Sequence, residues 1–411
     1  MHVVLAFDKF KDALSAGDAG AVVARALRAH HADWTFDVCP LTDGGEGFAE
    51  ILTKAAGGKI QSVKVAGPRG AVVTARYGLV TARRIPAAAW AMLNLPALPA
   101  NARIAVVEMA QASGLALLPA DQRDPWRTTT RGTGQIIRAA MDAGARAIVL
   151  GVGGSATHDL GLGALSVLGF QFRQSDSRIL PSVAPKDWAR LARVTRRRGP
   201  EIPPIRIACD VANPLLGPRG AAKIYAPQKG LCPADYLRLE HESARIADLL
   251  MKACAAPAHL CDVPGTGAAG GLAYGLICAL GAELLPGFAL VAAWLKVEAR
   301  LSAADIVVTG EGRFDESSFA GKGPGSIAQN AMAMGKPVHV FAGRIDPLPV
   351  RAGLELHPIT PPGQGLPEAL RNTARNLAAA ATRVFAPVFA GDKKLAPRPR
   401  PRSARRIFRK R

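Results

Sequence analysis

Two acidic turns in this sequence place carboxylates where a metal ion or a proton acceptor would be needed. In the first, Asp43 and Glu46 are three residues apart in the glycine-rich turn TDGGEG. In the second, Glu311 and Asp315 flank Arg313 shortly after an apolar run. Such carboxylates suit magnesium or a general base, whereas a structural role would more often be that of a helix N-cap. Each turn alone leaves both interpretations open, and their recurrence favours the functional one.

A third turn has the composition of a phosphate-binding loop. An apolar run leads into Gly153, Gly154, Ser155 and Thr157, and an apolar helix follows. Glycines permit close backbone approach, N–H groups at a helix start attract phosphate, and hydroxyl groups add hydrogen-bond donors. Asp159 in the same turn could hold a metal ion. The pattern by itself fits a plain strand-to-helix turn equally well.

Other nucleotide-binding motifs are absent or weak. The sequence contains no Gly-x-x-x-x-Gly-Lys-Ser/Thr, which excludes a standard P-loop. Two spacings resemble the dinucleotide fingerprint, one beginning at Gly151 and one at Gly265. The second follows Pro264 and lacks the acidic residue expected about 20 residues further on. An NAD-dependent oxidoreductase therefore has only weak support.

The elements that must position these turns alternate along the chain. Short apolar runs predict buried strands over residues 3–7, 147–151, 205–209, 305–309 and 337–342. Apolar residues spaced by three and four predict helices over residues 18–29, 48–55, 134–143, 236–254 and 366–384. Alternating strands and helices predict an α/β fold with a mainly parallel sheet, in which ligands bind at the carboxyl ends of the strands.

Composition narrows the class of protein. A chain of 411 residues with 49% hydrophobic side chains can bury an extensive core and form two domains. The most apolar stretch, residues 271–294, contains Glu283 and Pro286, which favours a buried core over a membrane span. No secretory signal is visible, and the six cysteines lack a metal-binding spacing. We therefore expect reduced thiols, no membrane partner and a cytoplasmic location.

The charge is concentrated at one end of the chain. The formal net charge is +20, and residues 391–411 carry ten Lys and Arg against Asp392 alone, or +9. Such a Pro- and Arg-rich tail is expected to be disordered and solvated, as is the loop around Arg196–Arg198. A nucleic-acid-binding protein would instead combine basic residues through the fold with stacking aromatics. The Trp and Tyr residues are scattered, so no specific nucleic-acid partner is expected.

The ordered set of turns closely resembles that of type I glycerate kinases. The resemblance covers roughly residues 1–390. In chain order, the shared segments are residues 8–11, 14–15, 42–47, 108–115, 128–134, 151–163, 209–211, 213–215, 217–218, 227–230, 264–271, 309–315, 321–322 and 342–343. So many specific turns in the right order make chance similarity remote.

The resemblance implies a kinase that uses ATP and Mg2+ to phosphorylate D-glycerate. The implied product is 2-phosphoglycerate, with 3-phosphoglycerate as the alternative. The implied fold has two α/β domains, one flavodoxin-like with a mainly parallel sheet and one discontinuous in sequence, with the active site in the cleft between them. Domain boundaries within residues 1–390 stay open, residues 82–101 are expected to form a surface insertion, and either a monomer or a homodimer is expected.

Several residues depart from the family pattern. The family usually has Ser where Lys9 stands, Asn where His158 stands, Gly and Ala where Leu160 and Leu162 stand, and Gln where Ser317 stands. Lys9 and His158 therefore leave the details of the substrate and nucleotide contacts open.

The predicted roles follow from what phosphoryl transfer requires, which is mainly positioning and charge neutralisation. The residues predicted to bind phosphate or balance its charge are Gly153, Gly154, Ser155, Thr157, Lys229 and Lys322. The predicted magnesium ligands are Asp159, Asp210 and Glu311. The predicted proton acceptor is Asp43 or Asp315. Lys11 or Arg313 is expected to bind the glycerate carboxylate, with Asp8 and Glu46 also in the substrate site.

Overall fold

The computed structural model describes residues 1–319 and 323–385, which form two main β-sheets covered by helices. The strands are β1 (His2–Phe7), β2 (Thr35–Val38), β3 (Lys59–Ala66), β4 (Val72–Thr81), β5 (Arg103–Glu108), β6 (Ala145–Gly151), β7 (Phe170–Arg173), β8 (Arg193–Arg196), β9 (Ile205–Ala208), β10 (Glu283–Leu285), β11 (Ile306–Phe314), β12 (Val338–Ile345) and β13 (Leu354–Pro358). The helices are α1 (Ala16–Arg28), α2 (Phe48–Ala55), α3 (Ala87–Leu93), α4 (Ala110–Ser113), α5 (Arg131–Asp142), α6 (Leu162–Val167), α7 (Ala221–Tyr225), α8 (Tyr236–Cys254), α9 (Ala268–Leu280), α10 (Gly287–Trp294), α11 (Val297–Ala303), α12 (Gly323–Ala333), α13 (Leu366–Arg371) and α14 (Thr373–Phe385).

The first sheet, here called the terminal sheet, contains β1, β2, β11, β12 and β13. Its order is β13-β12-β11-β1-β2, and every neighbouring pair is parallel. Numbered along the chain within this sheet, the order is 2-1-3-4-5, which is that of flavodoxin-like folds. The direction of winding reverses between β1 and β11, and doubly wound sheets bind their ligands beyond the strand ends at such a switch point.

The second sheet, here called the middle sheet, contains β3, β4, β5, β6, β9 and β10. Its order is β10-β9-β6-β5-β4-β3. The pairs from β10 to β5 are parallel, whereas β4 pairs antiparallel with both β5 and β3. A separate antiparallel pair, β7 with β8, lies outside both sheets.

The predicted α/β fold class is confirmed, with one refinement. The chain leaves the terminal sheet after β2, builds the whole middle sheet, and returns at β11. The terminal sheet is therefore the discontinuous one, and it also has the flavodoxin-like order. The sequence analysis expected one flavodoxin-like domain and a different, discontinuous domain. In the structure the terminal sheet has both properties, because the middle sheet is inserted between β2 and β11.

A shared hydrophobic core joins the two sheets. The run in β1 is buried on both faces, as expected of a central parallel strand, because α1 and α14 cover one side and α11 and α12 the other. On the second side, Val4 and Val307 of the terminal sheet belong to the same cluster as Ile104 and Val149 of the middle sheet. Packing of this shared cluster fixes how the carboxyl ends of the two sheets face each other.

Most predicted elements are confirmed, with boundary differences. The predicted helices 48–55 and 236–254 coincide with α2 and α8, whereas the predicted helix 366–384 is divided between α13 and α14. The connection over residues 82–101 lies between β4 and β5, and Ala89 and Leu93 within it are fully buried. All six cysteines are free. No helix in the described part of the chain is long and apolar enough to cross a membrane. Residues 391–411 lie outside the described residues.

Candidate active site

A cleft of about 410 Å3 opens at the carboxyl ends of β1, β6 and β9. A neighbouring cavity of about 1020 Å3 shares Lys9, Lys11 and Glu46 with it, so the two form adjoining parts of one depression. The predicted site residues that line the smaller cleft are Lys11, Asp43, Glu46, Gly153, Gly154, Ser155 and Asp210. Both sheets therefore contribute side chains to the same space.

The first acidic turn and the glycine loop touch backbone to backbone. The Gly153 N–H donates to the Gly44 carbonyl oxygen over 3.0 Å. A Cβ atom on Gly153 would lie 2.6 Å from Gly45 Cα, a separation that side chains do not tolerate. Glycine at position 153 is therefore what lets the two segments approach. Their contact places Asp43 and Ser155 on the same cleft.

Burial and neighbouring carboxylates raise the pKa values of Asp8 and Glu311 near the switch point. Burial, followed by the charge of Asp43, raises the pKa of Asp8 to about 6, although the N–H and charge of Lys9 oppose this. Burial also raises the pKa of Glu311 to about 7, with contributions from the charges of Asp8, Asp315 and Asp43. Crowded carboxylates of this kind favour the entry of a cation, which would relieve their repulsion.

One oxygen of this acidic group is conspicuously unsatisfied. Glu311 Oε1 is buried and has no hydrogen-bond partner among residues 1–319 and 323–385. No three carboxylates in that part of the chain bring their oxygens within 4.8 Å of one another. Magnesium commonly takes only one or two protein carboxylates and completes its shell with water and substrate phosphates. The donor set beside Glu311 therefore fits Mg2+.

The basic residues divide between the cleft and the outer surface. Lys9 lies in the cleft with its Nζ 3.6 Å from Glu46 Oε2, and Lys11 is exposed between the two cavities. Arg313 lies outside the lining of both cavities, and its guanidinium forms ion pairs with Asp346 and with Asp315. The structure thus brings Lys11, but not Arg313, into the cleft.

Two of the predicted phosphate-binding residues lie beneath the loop rather than in the cleft. Lys229 is 1% exposed, and its Nζ donates to the Thr157 carbonyl oxygen over 2.7 Å. Burial lowers the pKa of Lys229 to about 7, although the charge of Asp159 opposes this. Thr157 is also fully buried. These contacts hold the loop from below, and Lys322 lies outside the described residues.

Asp159 is enclosed by hydrogen-bond donors. Its carboxylate accepts five hydrogen bonds, from the hydroxyl groups of Thr129 and Thr130 and from the backbone N–H groups of Thr130, Gly161 and Gly163. The side chain is fully buried and lines neither cavity. The structure therefore does not bring Asp159 to the acidic group around Glu311.

Asp210 and Asp315 make local contacts on opposite sides of the site. Asp210 lines the cleft, and its Oδ2 accepts a hydrogen bond of 2.8 Å from the Phe288 N–H at the start of α10. Asp315 lies outside the lining of both cavities, and its Oδ1 accepts bonds from the N–H and hydroxyl of Ser317. Asp315 also pairs with Arg313 at 3.3 Å.

Glu108, to which the sequence analysis gave no role, is a buried carboxyl group that feels the charges of Lys9 and Glu46 but lines neither cavity. Its carboxyl group is 1% exposed at the end of β5 and accepts long hydrogen bonds of 3.4 Å from the Ala49 N–H and from Gln111. Burial raises its pKa to about 7, while the charges of Lys9 and Glu46 act in opposite directions. Glu108 directly follows an apolar run that predicts a strand, as the second acidic turn does, and the same pattern could have identified it from the sequence.

The fold and the cleft together are typical of an enzyme that transfers a charged group. Acidic and basic side chains face a glycine-rich loop across the switch point of a doubly wound sheet, an arrangement suited to phosphates and a divalent cation. The comparisons with known proteins agree with this class. The sequence profile of the glycerate kinase family matches residues 3–388.

Named relatives and a solved structure give the same result. A glycerate kinase of Bacillus subtilis is 38% identical over 353 residues, which are 84% of this chain and 85% of the relative. A glycerate 2-kinase of Escherichia coli is 35% identical over 349 residues, 84% of this chain and 86% of the relative. A crystal structure described as a glycerate kinase 2 from Salmonella typhimurium LT2 has a TM-score of 0.72 and 36% identity, covering 93% of this chain and 97% of its own.

The chain therefore belongs to the glycerate kinase family. The predicted enzyme class, a phosphotransferase that acts as a glycerate kinase, is confirmed at this level. Membership of a kinase family implies ATP as the co-substrate.

Proposed function

We propose that this protein is a type I glycerate kinase that transfers the γ-phosphoryl group of ATP to the 2-hydroxyl of D-glycerate. The name of the Escherichia coli relative, glycerate 2-kinase, supports 2-phosphoglycerate as the product rather than 3-phosphoglycerate. The observation that carries the proposal is the unsatisfied, buried Glu311 Oε1 beside Asp8 and Asp43 at the switch point. Asp43 lines the cleft together with the glycine loop, whereas Asp8 and Glu311 line neither cavity.

We assign the magnesium ion to Glu311 and Asp8. The pKa of each carboxyl group is raised by burial and by neighbouring carboxylates, so a cation beside them would stabilise their ionised forms. When bound, Mg2+ supplies charge neutralisation for the phosphate oxygens. Asp159 is assigned a structural role, because five donors already occupy its oxygens. Asp210, which was also predicted as a ligand, lines the opposite wall and stays a candidate for a water-mediated contact.

We assign proton acceptance to Asp43 and carboxylate binding to Lys11. Asp43 lines the cleft, whereas Asp315 lies outside it and is held by Ser317 and Arg313. Lys11 is exposed in the depression, so its ammonium group is available to an anionic substrate. In this arrangement Asp43 accepts the proton of the glycerate 2-hydroxyl as that oxygen attacks the γ-phosphorus.

The glycine loop is proposed to position the phosphates. Gly154 and Ser155 line the cleft opposite the acidic turn, and a phosphate there would lie against backbone and hydroxyl groups. Lys229 and Thr157 support this loop from beneath, since the lysine donates to the threonine carbonyl. Their contribution to phosphate binding is therefore one of positioning.

The decisive experiment is product analysis by 31P and 13C NMR. Purified full-length protein is incubated with D-glycerate, ATP and Mg2+, and we expect phosphorus coupling to the proton on C2. Omission of ATP or chelation of the metal should abolish the product. Coupling to the C3 protons would overturn the assigned position of transfer, and no phosphoglycerate of either kind would overturn the proposed activity. A cytoplasmic location and the oligomeric state stay predictions.

A further inference from the structure

Three potential metal ligands lie together on the edge of the terminal sheet, away from the cleft. His339 is on β12, and Glu355 and His357 are on the edge strand β13. The parallel register pairs His339 with Glu355 and Phe341 with His357. Residues two apart on a strand point to the same face, so all three side chains meet on one side of the sheet. Within the described ranges, no other group of three or more His, Cys, Asp or Glu residues brings its donor atoms so close together.

The donor atoms have the spacing that a first-row transition metal requires. His339 Nδ1 lies 3.1 Å from His357 Nε2, and Glu355 Oε2 lies 3.5 Å from the first and 3.7 Å from the second. The point in their plane that is equidistant from all three atoms lies about 2.0 Å from each, close to the bond lengths of zinc to imidazole and carboxylate ligands. Metal binding would replace the hydrogen bond between the two imidazoles and requires the rings to turn about their side-chain bonds.

Aromatic packing holds both imidazoles near this position. The His339 ring packs edge-on against Phe385 of α14 at 4.7 Å between centroids, and the His357 ring lies 4.8 Å from that of Phe341. His339 is 9% exposed, whereas the Glu355 side chain is 65% exposed and gives the site an opening to solvent. A site formed by one buried imidazole, one partly buried imidazole and one exposed carboxylate leaves room for a water molecule as fourth ligand.

The ligand types select among metals. Two imidazoles and one carboxylate suit Zn2+ and related transition-metal ions, whereas Mg2+ prefers a shell of oxygen atoms. Burial lowers the pKa of His357 to about 4 and also lowers that of His339, which favours the neutral imidazoles that bind metal ions. The site is therefore distinct in chemistry from the all-carboxylate group around Glu311.

We propose that His339, Glu355 and His357 bind one Zn2+ ion, with water completing a tetrahedral shell. The ion would tie the edge strand β13 to β12 under the end of α14. His339 lies three residues before Ala342, which pairs with Glu311 of β11. The ion would therefore stabilise β12 near its pairing with Glu311, without reaching the cleft. The expected effect is on stability, because the ion binds the folded arrangement of β12 and β13 more tightly than it binds the unfolded chain.

The test is a Zn2+ titration of untagged, metal-free full-length protein in excess Mg2+, which would compete with Zn2+ for the carboxylates around Glu311. Competition with a chromophoric chelator gives the affinity, and calorimetric melting gives the thermal midpoint. We expect one equivalent of Zn2+ to bind and to raise the midpoint. His357→Gln and Glu355→Gln should each weaken binding by about 10-fold or more. His241→Gln, which changes an exposed histidine on α8, is the matched control and should bind as the parent does.

A spectroscopic arm separates the proposed site from adventitious histidine binding. Cu2+ added at one equivalent should show electron paramagnetic resonance couplings to two imidazole nitrogens, reduced to one in His357→Gln. If His357→Gln lowers the thermal midpoint too far for a titration, Glu355→Gln still tests the proposal. Its carboxylate is exposed, so its removal leaves the packed imidazole rings in place. Unchanged Zn2+ affinity in both Glu355→Gln and His357→Gln, or equal loss in His241→Gln, would overturn the proposal. Kinase activity is not part of this readout.

Discussion

Replacing Asp43 by asparagine separates a catalytic carboxylate from a structural one. The substitution keeps the size of the side chain and an oxygen that can still accept the 3.3 Å hydrogen bond from the Gly45 N–H. It removes the negative charge of Asp43, which lies at the cleft. In the parent protein that charge, together with burial, raises the pKa of Asp8. If Asp43 accepts the substrate proton, turnover should collapse while the fold persists.

The two expected magnitudes differ enough to be told apart. Loss of a general base typically lowers turnover by about 100-fold or more. The structural loss is confined to one long hydrogen bond that asparagine can keep, so the free energy of unfolding should change by less than about 1 kcal/mol. For a large single-chain protein this corresponds to a shift of the thermal midpoint of about 2–4 °C at most.

Asp315→Asn is the matched control on the second acidic turn. It weakens an exposed ion pair with Arg313, whose N···O distance is 3.3 Å, and leaves the bonds to Ser317 largely in place. Solvent screens exposed ion pairs and leaves them little net effect on stability, so the thermal midpoint and turnover should both stay near the parent values. Steady-state kinetics with D-glycerate and MgATP and calorimetric melting of both variants provide the comparison.

The pH dependence offers a second, independent readout. Because the charge of Asp43 raises the pKa of Asp8, its removal should lower that pKa from about 6 toward the ordinary value of 3.8. The acid limb of the residual activity should then move to lower pH. Normal turnover in Asp43→Asn together with a collapse in Asp315→Asn would refute the assignment of the base. An acid limb that does not move would refute the electrostatic coupling.

Four further changes test separate features of the site and the chain. Gly153→Ala should cost both activity and stability, because its Cβ would lie 2.6 Å from Gly45 Cα. Gly199→Ala, whose Cβ would meet nothing within 4 Å and which lines neither cavity, should leave the kinetics unchanged. Glu108 has a pKa of about 7 in the folded protein against an ordinary 4.5, so the unfolded chain loses its proton first and stability should fall as pH rises between these values. Asp8 and Glu311 contribute a fall of the same sign, so Glu108→Gln should reduce the fall between pH 5 and pH 8 by about 3 kcal/mol in urea unfolding rather than remove it. An equal pH dependence in both proteins would contradict the burial argument. Lys229→Met leaves the Thr157 carbonyl oxygen without its hydrogen-bond donor. The free energy of unfolding in urea should fall by about 1–3 kcal/mol, with little change in KM for ATP. A large rise in KM at unchanged stability would instead support a counter-charge role for Lys229. Deleting residues 391–411, which carry a net charge of +9, should weaken the retention of the protein on a heparin column. Turnover and the thermal midpoint should stay nearly unchanged. A large loss of turnover would show that the tail belongs to the active site.

The sequence predicts the central elements well because their patterns are local. Helix α8 shows its apolar face at helical spacing along its whole length, and the predicted and observed bounds agree. Strand β11 was predicted too short, because Gly310 and Gly312 interrupt the apolar run that marks a strand. Pairing with β12 nevertheless continues as far as Phe314, opposite Ile345. Strand β11 is longer than its apolar run because it pairs with β12, and this pairing cannot be seen in a local sequence pattern.

The site is harder to predict because its residues converge through long-range pairing. Register between β1 and β11 sets Phe7 opposite Gly310, and this brings Asp8 beside Glu311 from opposite ends of the chain. Asp159 and Glu311 look alike in sequence, since each follows a strand and a glycine-rich segment. Only the fold shows that one carboxylate is enclosed by five donors while the other keeps a buried oxygen without a described partner.

Lys9 illustrates how a departure from the family pattern fits its electrostatic surroundings. The resemblance implies serine at this position, yet the lysine lies among several carboxylates, with its Nζ 3.6 Å from Glu46 Oε2. Its positive charge lowers the pKa values of Asp8 and Glu108 against the burial that raises them. A serine hydroxyl carries no charge and could not oppose burial in this way. Lys9 therefore opposes the burial of Asp8 and Glu108 and keeps more of these two carboxyl groups ionised near neutral pH.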